Sequence, residues 1–332
     1  MTKRSRTMHI TRLEKQFVFE MDCAPTPSCH ASTVTKTADG SLCVAWFGGT
    51  KESDNDVRIW VSVGKNGRWK KPYQIKGNRG VPHWNPVLYT KENGDILLFY
   101  KVGFKIENWR TYFCVSSDGG RSFSVCSELV SGDVGGRGPV KNKPILLSNG
   151  DLLAPASIET PNLWSCMIDI SEDGGATWEK HDIPVADEPE CKKKLTMIQP
   201  SLWESAEGVV HALCRTNRGY AYRSDSHDFG RTWCEPYITT VPNNNSGLDL
   251  VKLDSGVLAL VSNPVARHAG PRTPLTLGFS EDNGKTFKHA LTLEDTEGEY
   301  SYPAIIADNN RLYITYTYQR KNIAVYTIDI AP

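Results

Sequence analysis

Short apolar runs, each interrupted by a tight turn, recur along the whole chain. Six segments of the form strand, turn, strand begin at Cys29, His83, Val140, Ile198, Gly247 and Ser301. Several of the turns carry Asn-Gly or Asp-Gly pairs, which adopt the positive φ angles of two-residue hairpins. These pairs are Asp39-Gly40, Asn93-Gly94 and Asn149-Gly150. The pattern therefore predicts an all-β chain built from six similar hairpin units.

A second pattern is the octapeptide S-x-D-x-G-x-T-W/F, which follows most of these hairpins. Its copies are Ser116–Phe123, Ser171–Trp178, Ser226–Trp233 and Ser280–Phe287, with an eroded copy at Ser62–Trp69. A fixed period of this size is typical of a radial or stacked array of repeats. We expect the Asp and Gly to form a turn and the aromatic residue to pack between neighbouring repeats, so this octapeptide has a structural role.

Together the two patterns predict a six-bladed β-propeller. The last copy of the octapeptide is followed by one hairpin and one final strand near 322–330, so the last blade lacks its outer strand. The segment from Met8 to Phe19 is expected to supply that strand and close the ring, which removes an exposed sheet edge. No linker interrupts the series, so residues 1–332 are predicted to form one domain, with residues 1–7 as a flexible tail.

The amino-acid composition argues against several classes of function. The chain has 38 Lys and Arg against 38 Asp and Glu, and this zero net charge argues against a nucleic-acid partner. Apolar runs are too short to span a membrane, and none follows the basic N-terminus, so neither a signal peptide nor an anchor is expected. Four of the nine cysteines, Cys43, Cys114, Cys166 and Cys214, fall within predicted strands as small hydrophobic residues. A reducing compartment, the cytoplasm, fits this usage.

The propeller geometry also predicts where a site lies. Hairpin turns and octapeptides fall on one face, so the starts of the inner strands and the loops after the second strands share the opposite face, here termed the mouth face. Polar residues predicted on the mouth face are His30, Asp54, Asp56, His83, Asn85, Arg110, Arg137, Lys143, Gln199, Arg215, Arg272 and Tyr302. Such residues can simply solvate a central channel. A cluster of cations in a neutral protein instead indicates an anionic ligand, because Arg binds a carboxylate through two parallel hydrogen bonds.

With these repeats and this spacing, nearly the whole chain resembles the sialidase superfamily, the BNR or Asp-box propellers that cleave terminal sialic acid. The resemblance implies that Arg215 in HALCRTNRG and Arg272 in AGPRTPLTLGFS are two of three arginines that bind the sugar carboxylate. It also implies that Tyr302 in EYSYPAII is the nucleophile, and that Asp54 or Asp56 in FGGTKESDNDV is the acid/base.

Two departures from the family pattern bear on mechanism. The R-I-P expected near the first inner strand is Cys29-His30-Ala31, so the first arginine is missing. The glutamate that activates the tyrosine is replaced by Gln199 in MIQPSLWE. An amide does not accept the phenolic proton, and a tyrosine with a pKa of about 10 is a weak nucleophile without that help.

These departures favour elimination on an acidic sugar. A uronate lyase neutralises the carboxylate, removes the C5 proton and protonates the departing oxygen, without needing a carboxylate pair. His83 and Tyr302 are candidates for base and acid, with Arg215, Arg272 and either Arg137 or Lys143 holding the carboxylate. The stretches VPHWNPVLY, GGRGPVKNKPILL and PNNNSG are also similar to propeller lyases that cut rhamnose from glucuronate.

Three functions therefore stay open at this point, with the lyase favoured. The second is a sialidase-type hydrolase with Tyr302 as nucleophile, and the third is a glycan-binding propeller without catalysis. The expected partner in each case is an acidic oligosaccharide. His30, Asn85, Gln199 and Arg110 are expected to help bind it. No metal-ligand spacing occurs among the His, Cys and Asp residues, so no metal or other cofactor is expected.

Overall fold

The computed structural model describes residues 8–186 and 194–331 and forms a six-bladed β-propeller, as the repeats predict. The expected flexible tail, residues 1–7, lies outside the described residues. Each blade is an antiparallel sheet whose strands run from the axis outward, and each predicted hairpin forms the first two strands of its blade. Neither of the two short 3₁₀ turns in the described part of the chain, Met21–Cys23 and Ile106–Asn108, approaches the length of a membrane-spanning helix.

In the first three blades the strands lie in chain order from the axis outward, and β5 and β6 of blade I both pair with β4. Blade I contains β2 (Ser28–Lys36), β3 (Leu42–Gly49), β4 (Arg58–Lys65), β5 (Arg68–Trp69) and β6 (Tyr73–Gln74). Blade II contains β7 (His83–Thr90), β8 (Ile96–Val102), β9 (Arg110–Ser116) and β10 (Ser127–Glu128). Blade III contains β11 (Ile145–Leu146), β12 (Leu152–Glu159), β13 (Trp164–Ser171) and β14 (Glu179–Asp182).

The other three blades follow the same order. Blade IV contains β15 (Met197–Ala206), β16 (Val209–Thr216), β17 (Tyr220–Ser226) and β18 (Tyr237–Pro242). Blade V contains β19 (Asp249–Lys252), β20 (Leu258–Ser262), β21 (Leu275–Ser280) and β22 (Lys288–Glu294). Blade VI contains β23 (Tyr300–Asp308), β24 (Arg311–Tyr318), β25 (Asn322–Ala331) and, outermost, β1 (His9–Phe17).

The ring is closed by the N-terminal strand, which confirms that prediction. β1 pairs antiparallel with β25, from His9 opposite Ala331 to Phe17 opposite Ala324. Blade VI therefore combines the two ends of the described chain, and the outer edge of β25 is covered rather than exposed. The chain continues from β1 in blade VI to β2 in blade I, so these two blades are covalently linked.

The repeated octapeptide is structural, as expected. In the copy at Ser171–Trp178, the Asp173 carboxylate accepts hydrogen bonds from the backbone N–H groups of Ala176 and Thr177 and from the Thr177 hydroxyl. The bonds from Thr177 hold the pKa of Asp173 well below its usual range. The aromatic residue of this copy, Trp178, packs edge-to-face on Phe99 of the neighbouring blade, 6.0 Å between ring centres. The octapeptide thus joins adjacent blades.

Apolar residues fill the spaces between blades, and the four cysteines predicted within strands are buried there. The start of every inner strand instead has an unusual backbone. At this position of each blade one non-glycine residue has a positive φ angle: Ala31, Asn85, Lys141, Gln199, Asn245 and Tyr302. In four blades this residue lies inside a bulge of the pairing between the first and second strands. These bulges redirect side chains at the mouth end of the inner strands.

Candidate active site

Tyr302 is the centre of a polar cluster on the mouth face. Its ring centre lies 4.3 Å from that of His30. Its hydroxyl oxygen accepts a hydrogen bond from Nη1 of Arg215, at 2.9 Å. The guanidinium carbon of Arg272 lies 5.5 Å from the centre of the same ring. Five of the sequence-predicted site residues therefore meet from blades I, IV, V and VI, because Gln199 also contacts Arg215.

Arg215 is the cation of this cluster that has no carboxylate partner among the described residues. Its Nη1 donates to Oε1 of Gln199 at 3.0 Å as well as to Tyr302, and its Nε donates to Oδ1 of Asn245 at 3.0 Å. The residue is only 7% exposed. A buried guanidinium held by neutral groups keeps its full charge for an incoming anion.

Two further arginines share one carboxylate. Oε1 of Glu299 accepts hydrogen bonds from Nη1 of Arg272 and from Nε of Arg320, both at 2.7 Å. Nη1 of Arg320 also donates to Oε2 of Glu52 at 2.6 Å. We call Arg215, Arg272 and Arg320 the arginine cluster. The sequence analysis missed Arg320, although it follows the second strand of blade VI, the same position that identified the other two arginines.

His30 occupies the place where the family pattern predicts an arginine. Its Nδ1 lies 2.8 Å from the Thr317 hydroxyl and 3.9 Å from Oε1 of Glu299. Burial, followed by the positive charges of Arg320 and Arg272, holds the pKa of His30 well below its usual value of 6.5. The imidazole is therefore neutral at physiological pH and able to accept a proton.

The predicted loop aspartates lie between β3 and β4. Both are exposed, and Asp56 accepts hydrogen bonds at Oδ2 from the backbone N–H and the hydroxyl of Thr50. The Asp54 carboxylate has no hydrogen bond within the described residues. It is Glu52 of this same loop that reaches Arg320, so the loop is tied to the site by a residue that the sequence analysis did not select.

His83, the predicted base, does not join Tyr302. Its side chain is fully buried and stacks on Tyr100, 5.1 Å between ring centres, while Nε2 lies 3.2 Å from the carbonyl oxygen of Asn78. Burial, reinforced by the charge of Arg58, lowers the pKa of His83 to about 4. His83 precedes the bulge that contains Asn85, and its ring packs against β8 and the segment before β7 rather than against Tyr302.

Three cations that were predicted to bind the substrate have other partners. Arg137 donates to Asp169 at 2.6 Å and to the carbonyl of Trp178, so it holds the strands of blade III. Arg110 pairs with Glu128 of the outer strand of blade II. Lys143 binds the carboxylate of Asp249, at 3.0 Å, and thereby joins blades III and V across the axis. Asn85 lies at the mouth end of its strand with no side-chain hydrogen bond to another described residue.

Lys141 joins three blades close to Tyr302. Its Nζ donates to the Leu248 carbonyl at 2.7 Å, to Oδ1 of Asn142 and to the Pro303 carbonyl. These bonds connect blades III, V and VI, and the Lys141 and Tyr302 side chains both border Gly247.

The family assignment follows from a family model described as "BNR repeat-like domain", which matches residues 40–314. The protein is a six-bladed propeller, and the chain belongs to this family. A search of curated proteins finds no match.

Solved structures show the same fold. A protein of unknown function from Dyadobacter fermentans has a TM-score of 0.78 at 18% identity, covering 98% of this chain and 99% of its own. The Hadza microbial sialidase Hz136 has a TM-score of 0.77 at 19% identity, covering 95% and 68%. Trypanosoma rangeli sialidase with the inhibitor DANA has a TM-score of 0.74 at 15% identity, covering 96% of this chain. This chain spans 60% of that sialidase, less than two thirds of its length.

Proposed function

We propose that this protein is a carbohydrate-active enzyme that acts on a uronate of an oligosaccharide by β-elimination, breaking its C4–O4 bond and releasing the sugar attached to O4. The observation that supports this reaction best is the contact between neutral His30 and Tyr302 beside the arginine cluster. A neutral imidazole and a phenol are the base and acid that elimination needs, and Gln199 stands where a hydrolase would need a carboxylate. The cytoplasmic location stays a prediction.

The charge of the site supports a ligand with one carboxylate. The arginine cluster carries three positive charges, and the two carboxylates bonded to it, Glu299 and Glu52, carry two negative charges. The net charge of the three arginines and two glutamates is therefore one positive charge. Arg215, which lacks a carboxylate partner, is the residue best placed to receive the anion, and a fork of parallel donors suits a planar carboxylate.

The proposed reaction uses residues of this chain alone. The arginine cluster binds the C6 carboxylate and stabilises the negative charge that spreads onto it as the C5–H bond breaks. Nε2 of His30 accepts the C5 proton, and the electron pair forms the C4–C5 double bond. The C4–O4 bond breaks, and O4 takes the proton of the Tyr302 hydroxyl, which Arg215 orients. His30 thus takes the role that the sequence assigned to His83.

Product analysis tests this proposal. The protein is incubated with glucuronyl and sialyl oligosaccharides while ultraviolet absorbance records the conjugated C4–C5 double bond of an unsaturated uronate. Rising absorbance with glucuronyl substrates is expected. Release of free sialic acid without unsaturation would contradict elimination, and binding without any product would support a glycan-binding propeller.

A sialidase-type hydrolase is the second candidate, favoured by the position of Tyr302 between two arginines. The guanidinium carbons of Arg215 and Arg272 lie 5.8 Å and 5.5 Å from the centre of its ring. Such an arrangement suits a tyrosine nucleophile beside a bound carboxylate. No carboxylate accepts a hydrogen bond from the Tyr302 hydroxyl among the described residues, which is why elimination is preferred.

A further inference from the structure

Two cysteines, Cys114 of β9 and Cys126 just before β10, face each other in the outer half of blade II. The first residue of β10, Ser127, pairs with the residue before Cys114. The backbone N–H of Ser124 donates to the carbonyl oxygen of the residue after Cys114, at 2.8 Å. Two residues, Val125 and Cys126, therefore lie opposite the single residue Cys114, which is the arrangement of a β-bulge.

Cys126 is the residue of this bulge that packs inward. Val125 is 95% exposed, whereas Cys126 is partly buried. Cys114 is buried in the apolar cluster between blades I and II, and Cys126 packs against that same cluster. Facing residues of antiparallel strands have Cα atoms about 4.5–5.5 Å apart, which lies within the roughly 4.4–6.8 Å that a disulfide spans. The backbone geometry therefore allows a bond between the two sulfur atoms.

Cys126 is also accessible and reactive. It lines a cavity of about 560 Å³ between blades I and II, together with Tyr73 and Tyr100. Its thiol donates to the carbonyl oxygen of Lys76 in the wall of this cavity, at 3.6 Å. The neighbouring Cys114 thiol lowers the pKa of Cys126 to about 7, against the effect of burial and with help from the Tyr100 hydroxyl. A large share of Cys126 is therefore thiolate at neutral pH, and the thiolate is the nucleophilic form.

Two comparisons within the chain separate this pair from other thiols. The sulfur atoms of Cys166 and Cys214 lie 3.6 Å apart, but both residues are buried. Burial, and then the contact with Cys214, raises the pKa of Cys166 well above its usual value. Cys23 is exposed, but the negative charge of Asp22 raises its pKa. Proximity and reactivity occur together at Cys114 and Cys126.

We propose that Cys126 and Cys114 are a redox-active thiol pair that a hydroperoxide oxidises reversibly to a disulfide. With hydrogen peroxide, the Cys126 thiolate attacks one oxygen, the O–O bond breaks, and the departing hydroxide takes a proton to form water. The Cys114 sulfur then attacks the resulting sulfenic acid, an S–S bond forms, and the S–O bond breaks to release a second water. Two thiols thus lose two electrons and two protons to the peroxide. A thiol reductant reverses the reaction.

Peptide mapping of the wild-type protein tests this proposal. The protein is treated with hydrogen peroxide and digested with trypsin without reduction. Cleavage after Arg121 separates the two cysteines, so a disulfide between them joins peptides 111–121 and 122–137. We expect this joined peptide, lighter than the sum of its two parts by two hydrogen atoms, and its separation when dithiothreitol is added. Before oxidation, iodoacetamide at pH 7 should alkylate Cys126 about tenfold faster than Cys23, because more of it is thiolate.

Two variants complete the test. In Cys114→Ser, peroxide should leave Cys126 as a sulfenic acid, which a cyclic 1,3-diketone traps as a stable adduct. Cys23→Ser is the matched control and should yield the same joined peptide as the wild-type protein. Absence of the joined peptide after oxidation of the wild-type protein would overturn the proposal. So would oxidation of Cys166 and Cys214 ahead of Cys114 and Cys126, or equal alkylation rates at Cys126 and Cys23.

Discussion

Nη1 of Arg215 lies 2.9 Å from the hydroxyl oxygen of Tyr302, and the two residues are separated by 87 positions in the chain. The contact spans the mouth of the propeller from blade IV to blade VI. It fixes the tyrosine hydroxyl directly beside the one guanidinium of the arginine cluster that has no carboxylate partner within the described residues. A substrate carboxylate bound to Arg215 would therefore lie next to the group that we propose protonates the departing oxygen.

Replacing Arg215 tests this arrangement. Arg215→Lys should lower kcat/KM for a 4-O-glycosylated glucuronate by about 100-fold, because an ammonium cannot form two parallel bonds to a carboxylate and also orient Tyr302. Steady-state kinetics measure the effect. Arg110→Lys, at the outer edge of blade II, is the control and should keep wild-type kinetics. Equal kinetics for the two variants would remove Arg215 from the site.

Variants of His30 and His83 should distinguish a catalytic histidine from one that only packs in the fold. His30→Gln should lower kcat/KM by about 10²- to 10⁴-fold, the usual effect of losing a positioned base. His83→Gln should leave the kcat/KM of the folded protein near the wild-type value, because His83 contacts Asn78 and Tyr100 rather than Tyr302. The opposite order of effects would return the base to His83. The acid limb of the wild-type plot of kcat/KM against pH should lie below pH 6.5, since the pKa of His30 is lowered.

Gln199→Glu distinguishes elimination from hydrolysis. The new carboxylate would face Nη1 of Arg215 and compete with the substrate carboxylate, so elimination should fall by about tenfold or more. Product formation from glucuronyl and sialyl substrates measures both reactions. Gln74→Glu, on the exposed outer strand of blade I, is the control. A gain of sialidase activity in Gln199→Glu would show that a hydrolytic site is otherwise intact and would contradict the lyase proposal.

His83 should make folding stability depend on pH. Its pKa is about 4 in the folded protein and 6.5 when exposed, so the unfolded chain binds more protons between these values. Stability is therefore lost as pH falls from 6.5 to 4, by about 3 kcal/mol when the shift is complete. Denaturant titrations at several pH values should show a shallower loss in His83→Gln than in wild type. An identical slope would mean that the pKa of His83 is the same in the folded and unfolded states.

The stability of the packing around the propeller axis should depend on Asp249. This carboxylate binds Lys143 and accepts hydrogen bonds from the Ser201 hydroxyl and the backbone N–H of Ile305. Asp249→Ala leaves the Lys143 ammonium without its partner and should lower the free energy of unfolding by about 3 kcal/mol. Asp254→Ala, at an exposed turn, is the control. Chemical denaturation of the two variants measures the difference, and a loss of similar size in both would show that the ion pair across the axis contributes little.

The repeats determined the architecture from sequence alone. Hairpin turns such as Asn93-Gly94 and the Asp173 octapeptide are local signals, because neighbouring residues form the turn and its hydrogen bonds. Six such units with one missing outer strand left a single place for the segment ending at Phe17, and the pairing of β1 with β25 confirms it. The same reasoning identified the mouth face, and it selected Arg215, Arg272, His30, Gln199 and Tyr302, which the structure brings together.

The composition of the site was decided only by tertiary structure. Whether a residue at the head of an inner strand faces the pocket depends on its bulge, so Tyr302 meets the arginine cluster while His83 packs inside blade II. Whether a cation is available depends on partners far away in the chain, as Asp249 shows for Lys143. Arg320 and Glu52, 268 residues apart, bond to each other only because the ring closes blade VI against blade I. Local patterns set turns and strands, whereas contacts across the ring arise only once all six blades are packed.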